Sequence, residues 1–88
     1  MHFDYIEWDE PGDVPNNVDH IAEHGVAQEE VEDVLASVPD SRVIRSRSSG
    51  RPSVIGETAE GRTLFVAFER REDGGFVVIY PITAYDHE

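Results

Sequence analysis

The first apolar pattern along the chain is a short alternation in residues 2–8, HFDYIEW. Phe3, Tyr5 and Trp8 stand there among polar neighbours, which predicts a short strand at a sheet edge. The next segment, residues 10–15, contains two prolines and a glycine and ends this strand. Beyond it the apolar spacing changes from alternating to helical.

Two short helices are predicted next. The first opens at Pro15 and Asn16 and stops at Gly25, because glycine tolerates the left-handed backbone typical of a helix end. The second follows within residues 26–37, has acidic side chains in its first turn, as the helix dipole favours, and ends before Pro39. The apolar residues at helical spacing are Val18, Ile21 and Ala22 in the first helix and Val31, Val34 and Leu35 in the second.

From residue 42 the alternating pattern returns and predicts four strands. Turns that contain glycine separate them, at SSGRP, AEGR and REDGG, and three short hairpin loops in succession indicate an antiparallel meander. Pro81 cannot donate a hydrogen bond to a neighbouring strand, so we expect the last strand to lie at an edge there or to carry a bulge. The four segments are 42–47, 53–58, 62–70 and 76–85.

These elements form one domain, residues 1–88, in the order β-α-α-β-β-β-β. A chain of 88 residues supports one hydrophobic core and is too short for two. The predicted fold class is α+β, an antiparallel meander with both helices on one face, because the apolar faces of the helices have nothing else to bury against. The expected inward side chains of the sheet are Val43, Ile55, Leu64, Val66, Phe68, Val77 and Ile79.

Charge is the strongest feature of the composition. The chain has 19 acidic residues against 7 basic ones, a net charge of -12, and every basic residue is an arginine. Residues 1–40 contain no base, and all the arginines lie within residues 42–71. This acidity favours solubility in a salt-rich cytoplasm, and the alternative is an acidic face that binds a partner. A field of this sign repels phosphate backbones at long range, so only the arginine segment suits a nucleic acid.

Several classes of protein are excluded by composition. The absence of cysteine removes a disulfide scaffold, a thiolate nucleophile and a cysteine-based zinc site. No apolar run approaches the roughly 20 residues that span a bilayer, and the N-terminus carries no signal-peptide pattern. The sequence therefore predicts a cytoplasmic protein that does not contact a membrane.

The first candidate functional residues are His20 and His24. They are four apart on the first predicted helix and project from nearly the same face, a spacing that can hold a metal ion when a third ligand is near. No third ligand stands at a matching spacing, so we expect neither a metal nor a cofactor. With Asn17 the two histidines form a polar line that a helix can direct at one edge of a sheet. Histidine is the residue type suited to proton transfer near neutrality.

The arginines are candidate anion ligands. Arg45 and Arg47 share a face if their strand alternates, and Arg51 and Arg62 lie in or beside turns, so one interpretation is a basic stripe across the uncovered face of the sheet. A guanidinium group can bind a phosphate through two hydrogen bonds. The alternative interpretation is that these arginines pair with the surplus carboxylates of the meander.

A set of short motifs follows in order over nearly the whole chain. They are IEWDE, then Asn17 with His20, HGV, EEVEDVL, GRP, IGET, GR followed by LFVAFE, and PITAY. In this order they resemble the BrnT-type family. The resemblance implies a RelE-like fold and a ribonuclease toxin of a toxin–antitoxin pair, which a DNA-binding antitoxin neutralises.

The resemblance implies RNA as the substrate. On this first hypothesis Arg51 and Arg62 hold phosphates, and His20 or His24 assists proton transfer at the 2′-hydroxyl. The residues assigned to binding a phosphate or a partner are Asn17, Arg45 and Arg47.

The chain departs from the family pattern at three places, each with a loss of positive charge. Glu23 stands where the family has a basic residue, Tyr85 stands where it has arginine, and the sequence to Glu88 contains no basic C-terminal helix. The chain is thus a divergent relative by this resemblance. We expect its RNA affinity to be weak and sensitive to salt, and its expression in a bacterial host to be harmless.

Two further hypotheses follow from the charge and the size of the chain. One is a non-catalytic module that keeps the fold and binds a basic protein through its acidic helices. The other is a stand-alone domain whose partner is a second copy of itself. The net charge favours the non-catalytic module, whereas the arginine-rich meander and the two histidines favour the RNA-directed toxin.

Overall fold

The computed structural model describes residues 1–45, 47 and 49–87. The predicted α+β class and the element order β-α-α-β-β-β-β are confirmed there. Among the described residues, no helix is long and apolar enough to cross a membrane. The strands are β1 (Tyr5–Ile6), β2 (Ile44–Arg45), β3 (Pro52–Glu57), β4 (Thr63–Asp73) and β5 (Phe76–Asp86), and the helices are α1 (Asn17–Glu23) and α2 (Gln28–Ser37).

The strands form one five-stranded sheet in the order β1-β5-β4-β3-β2. β2 to β5 are antiparallel neighbours, which confirms the predicted meander. β1 runs parallel to β5, with Tyr5 opposite Val78, so the sheet is mixed and the prediction of a wholly antiparallel sheet is wrong. A tight hairpin loop fixes the direction of the strands it joins. No such loop joins β1 to β5, because most of the chain lies between them. The alternation of apolar and polar residues does not indicate whether a strand runs parallel or antiparallel to its neighbour, so the direction of β1 could not be predicted.

α1 has a defined cap at each end. The side chain of Asn16 accepts a hydrogen bond from the backbone N–H of Asp19 at 3.1 Å. At the other end Gly25 has a φ of 72°, as the sequence predicts, and its N–H donates to the carbonyl of Ala22 at 2.9 Å. The left-handed residue turns the chain sharply from α1 into α2.

α2 packs closely on β3. A Cβ atom placed on Gly56 would lie 3.1 Å from Cγ1 of Val34, so a larger residue at this point of the strand would require the helix side chain to shift by a few tenths of an ångström. At the start of α2 the backbone N–H of Ala27 donates to the carboxylate of Glu30 at 3.0 Å. The helix is therefore positioned both by its apolar face and by its first turn.

Both helices pack apolar side chains against the same face of the sheet, as predicted, although Ala22 of α1 is exposed. The predicted inward position of Ile55 is wrong, because the adjacent Val54 is buried instead and Ile55 pairs with Phe65 on the other face. Val54 and Ile55 are both apolar, so the sequence does not show which of them points inward. An error of one position places a side chain on the wrong face of the sheet. The core contains Ile21, Val31, Val34 and Leu35 from the helices and Val54, Leu64, Val66, Phe68, Ile79 and Ala84 from the sheet.

The last strand contains a bulge next to Pro81, one of the two alternatives that the sequence left open. Ala67 lies opposite Thr83, but the next residue, Phe68, lies opposite Pro81, so Ile82 has no partner on β4. Pro81 is buried with Phe68 on the helix side of the sheet. The bulge resets the alternation of β5, so Tyr80 and Thr83 both face away from the helices.

The strand predicted over residues 42–47 is shorter in the structure. β2 covers Ile44–Arg45 alone, Arg47 lies in a turn, and Ser46 is outside the described residues. The strand alternation that would place Arg45 and Arg47 on one face does not extend to Arg47.

The substitution Gly25→Val tests the turn between the helices. A β-branched residue at a positive φ is strained, so we expect the free energy of unfolding to fall by about 1 kcal/mol or more, measured by urea denaturation. Ala22→Val is the matched control, since it adds the same side chain to an exposed position with helical backbone and should cost a few tenths of a kcal/mol. Equal losses in the two variants would contradict the assignment.

Candidate functional site

The side of the sheet opposite the helices is called the open face here, and no helix of the described residues packs on it. Cross-strand partners lie on the same face of a sheet. Ile55, Phe65 and Tyr85 therefore stand side by side on the open face, across β3, β4 and β5. Glu69 and Tyr80 form a second open-face pair on the other side of the bulge.

A cleft of about 640 Å³ lies between the open face and the segment that leads into α1. His20 and Asn17 line it from the helix, and Arg51, Arg71 and Tyr80 line it from the sheet. Residues that are distant in the sequence thus meet in one concavity, the most common form of a ligand site. Of the predicted site residues, the fold brings together Asn17, His20 and Arg51.

His20 is held in a defined orientation at the edge of the cleft. Its Nε2 lies 3.1 Å from Oγ1 of Thr83, and its Nδ1 lies 3.7 Å from the carboxylate of Glu23. His24 is exposed at the C-terminal cap of α1, with its ring centroid 5.5 Å from that of His20 and 5.9 Å from that of Tyr85. The two imidazoles are neighbours, as their spacing predicts, and both are exposed.

Asn17 is buried, and its side chain ties three segments together. Its Oδ1 accepts a hydrogen bond from the N–H of Asp9 at 2.9 Å. Its Nδ2 donates to the carbonyls of Glu7 and Pro81, each at 3.1 Å. Both amide hydrogens are therefore already donated within the protein, and a phosphate would have to displace one of these bonds. In this geometry Asn17 positions α1 beside β5.

Tyr80 lines the cleft from β5, and the sequence did not indicate its role. Its hydroxyl donates to Oδ2 of Asp9, which also accepts the backbone N–H of Asn17. The hydrogen bond to Asp9, together with partial burial, raises the pKa of Tyr80 to about 12. The role of Tyr80 could be found only from the correct register between β4 and β5. The bulge at Ile82 shifts this register, and the sequence alone does not locate the shift.

Arg71 covers the ring of Tyr80. Its guanidinium carbon lies 4.3 Å from the ring centroid, a cation–π contact. Its Nη2 lies 2.9 Å from Oε2 of Glu69, and this hydrogen bond raises the pKa of Arg71. A further carboxylate, that of Glu7, lies 3.5 Å away. The positive charge of Arg71 is thus largely neutralised by its neighbours.

The arginines divide into two groups by their partners. Arg62, Arg70 and Arg71 each form an ion pair. The other four, within the part of the chain that the structure describes, form none, although the protein has a large excess of carboxylates. These four are Arg42, Arg45, Arg47 and Arg51. Arg42 precedes β2, whereas Arg45, Arg47 and Arg51 lie at the connection between β2 and β3. There Arg45 donates to the carbonyl of Gly50 at 2.9 Å.

Arg62 lies on the helix side of the sheet, and it does not line the cleft. Its Nη1 is 2.9 Å from Glu30 and 2.9 Å from the carbonyl of Gly25, and its Nε is 2.6 Å from Asp86. Asp86 is opposite Leu64, a core residue, which fixes the side of the cluster. The hydrogen bonds to Asp86 and Glu30 raise the pKa of Arg62. The fold therefore does not bring Arg62 together with His20 and Arg51.

The lining of the cleft carries more acid than base. Glu69 is paired with Arg71, which leaves Arg51 as the cation whose charge is not balanced by an ion pair in the described residues. The other charged groups of the lining are Asp13, Asp19 and Glu23, beside His20. This balance weakens the attraction of the cleft for a polyanion and strengthens it for a cation.

Comparison of the chain with protein-family models, with curated proteins and with solved structures finds no match. Among the described side chains, no group of three or more His, Asp or Glu residues is arranged to hold a metal ion. The expectation that His20 and His24 bind no metal stays a prediction.

Arg62→Ala tests whether this arginine stabilises the fold. We expect the free energy of unfolding at neutral pH to fall by about 1 kcal/mol or more, from loss of the half-buried pair with Glu30 and of the bond to the Gly25 carbonyl. Arg70→Ala is the matched control and should have almost no effect, because its ion pair is 3.8 Å long and exposed.

The same effect should depend on pH. The pKa of Glu30 is lowered from 4.5, first by its backbone hydrogen bond to Ala27 and then by Arg62, and that of Asp86 is lowered from 3.8 by Arg62. A carboxylate whose pKa is lowered by folding stabilises the fold at a pH above its pKa in the unfolded chain. This stability is lost as the pH falls through the pKa of the same group in the folded protein. The difference between wild type and Arg62→Ala should therefore shrink below about pH 4, and a constant difference would contradict the assignment.

The raised pKa of Tyr80 predicts a late tyrosine titration. The hydroxyl donates to Asp9 only while protonated, so this contribution to stability is complete below pH 10.0 and is lost as the pH rises through about 12. We expect the ultraviolet absorbance of tyrosinate to include a step near pH 12 that Tyr80→Phe removes and the control Tyr85→Phe retains. Circular dichroism on the same samples reports whether the fold persists. A step that survives in Tyr80→Phe would show that the hydroxyl is not bound as described.

Proposed function

We propose that this chain is a toxin-like protein of a toxin–antitoxin system, with a RelE-like fold of the BrnT type, that contacts RNA through the open-face cleft. The observation that carries the proposal is the convergence of His20 and Arg51 in one cleft. A histidine can move a proton, and a guanidinium without a carboxylate partner can hold a phosphate. Cleavage at a 2′-hydroxyl uses both kinds of group.

The chemistry assigns a separate role to each group. A base removes the proton of the 2′-hydroxyl, and the oxygen attacks the adjacent phosphorus. The bond between phosphorus and the 5′-oxygen breaks, the 5′-oxygen takes up a proton from a general acid or from water, and a 2′,3′-cyclic phosphate forms. His20, oriented by Thr83, is the candidate base, and His24 is close enough for the same substrate to reach both imidazoles. Arg51 stabilises the negative charge of the phosphate in the transition state.

The same cleft limits the affinity. Three acidic residues line the part of the cleft that is formed by α1 and the segment before it, and they repel a polyanion. They are Asp13, Asp19 and Glu23. Binding therefore depends on Arg51 and on the neighbouring Arg45 and Arg47, and it weakens as salt screens them. We expect RNA binding to be measurable at low ionic strength and growth of a bacterial host that expresses the chain to be unaffected.

A second candidate function is a non-catalytic module that binds a basic protein. It is favoured by the acidic excess of the cleft lining and by the exposed acids of α2, among them Glu29 and Glu32. The partner in this case is the antitoxin or another protein with a basic segment. A second copy of this strongly acidic chain is a weaker fit, because like charges repel.

RNA binding can be tested with a labelled single-stranded oligonucleotide and fluorescence anisotropy over a series of salt concentrations. Arg51→Ala should weaken binding and reduce the slope of log affinity against log salt by about 0.7, the value for one lost phosphate contact. Arg70→Ala is the matched control, since it removes the same charge from an exposed arginine opposite Ile79, away from the open face.

Equal effects of the two substitutions would mean that only the total charge matters and that the cleft is not the site. His20→Ala separates binding from chemistry: it should leave the affinity nearly unchanged and abolish any cleavage of the oligonucleotide. Absence of RNA affinity at low salt, together with tight binding of a basic protein, would replace the proposal with the second candidate.

A further inference from the structure

Four aromatic rings continue from the cleft across the open face. His20 lines the cleft, His24 lies next to it, Tyr85 follows, and Phe65 stacks on Tyr85 with ring centroids 4.9 Å apart and an angle of 22° between the rings. The successive centroids are 5.5, 5.9 and 4.9 Å apart. These four residues, called the aromatic row here, connect α1, β5 and β4.

The centre of the aromatic row is accessible. Tyr85 is 40% exposed although it is near the middle of the row. Within the part of the chain that the structure describes, no hydrogen bond is recorded for its hydroxyl, and no helix lies over the open face. Tyr85 therefore offers a ring that Phe65 supports from one side and that a ligand can reach.

The charges next to the aromatic row identify the class of ligand. Arg51 lines the same cleft as His20, and it belongs to the group of arginines that have no ion pair among the described residues. Of the four arginines in that group, Arg51 is the one that lines the cleft, and it does so together with the first ring of the aromatic row. A ligand with planar rings and a negatively charged backbone fits both features, and single-stranded nucleic acid is such a ligand.

We propose that the aromatic row is a stacking platform for an unpaired base of single-stranded RNA, with Tyr85 at its centre and Arg51 holding an adjacent phosphate. The inference rests on the proposed RNA-binding function and deepens it by naming the substrate class. Bases of a duplex are stacked on each other and cannot lie on a protein ring, so the platform selects single strands over double strands.

Tyr85→Leu tests the platform, because leucine keeps the apolar bulk and removes the π face. We expect it to weaken binding of a short single-stranded RNA by about tenfold, the effect of one lost base–aromatic stack. An oligonucleotide of the same length without bases should bind wild type and Tyr85→Leu equally. Tyr85→Phe keeps the ring and should bind as wild type does, and it serves as a second variant if Tyr85→Leu proves unstable in urea denaturation.

Tyr5→Leu is the matched control. Tyr5 is also exposed, at 48%, and also pairs with a phenylalanine, Phe76, at a centroid distance of 5.5 Å. Phe76 and Tyr85 are at opposite ends of β5, roughly 30 Å apart for an extended strand. Tyr5→Leu should therefore leave RNA affinity unchanged, and a loss equal to that of Tyr85→Leu would overturn the assignment to the aromatic row.

The remaining outcomes separate this inference from the function on which it rests. If Arg51→Ala weakens binding and Tyr85→Leu does not, RNA contacts the cleft but no base stacks on the row, and the inference fails alone. The inference also fails if Tyr85→Leu weakens binding of the baseless oligonucleotide as much as that of RNA. If wild type binds neither oligonucleotide at low salt, the inference and the proposed function fail together.

Discussion

The long antiparallel pairing of β4 with β5 decides on which side of the sheet each functional side chain lies. Burial of Leu64, Val66 and Phe68 under the helices places the residues between them on the open face. Asp86 is the cross-strand partner of Leu64, so it lies on the helix side of the sheet, where it binds Arg62. Tyr85 is the cross-strand partner of Phe65, so it lies on the open face. A shift of this pairing by one residue would exchange the two sets, so core packing also specifies the cleft and the aromatic row.

Much of the fold could be predicted from the sequence, because helix caps, glycine turns and alternation are local. Gly25 and the bulge at Pro81 are examples of local chemistry that determines local structure. The errors have nonlocal causes. The parallel direction of β1 depends on a partner at the other end of the chain, and the exchange of Val54 for Ile55 depends on which apolar neighbour meets α2.

The candidate site was predicted less completely than the fold, because charge patterns do not reveal partners. His20 and Arg51 line the same cleft, an arrangement that the sequence left as one of two interpretations. Arg62 has the same type and a similar turn position as Arg51, yet two carboxylates and a carbonyl hold it on the opposite side. Tyr80 was missed because its importance comes from Asp9, a residue far away in sequence that accepts a hydrogen bond from its hydroxyl.

The position of α1 explains how a helix can supply a catalytic candidate to the face of a sheet. β1 pairs with β5 only as far as Ile79, so the edge of β5 beyond that residue needs other partners. Pro81 has no N–H and leaves a carbonyl, which the Nδ2 of Asn17 satisfies at 3.1 Å. A helix side chain thus replaces a neighbouring strand, and α1 lies against the edge of β5. From there Ile21 enters the core while His20, one residue earlier, reaches Thr83 on the open face. The site therefore depends on one amide that sequence reasoning had assigned to ligand binding.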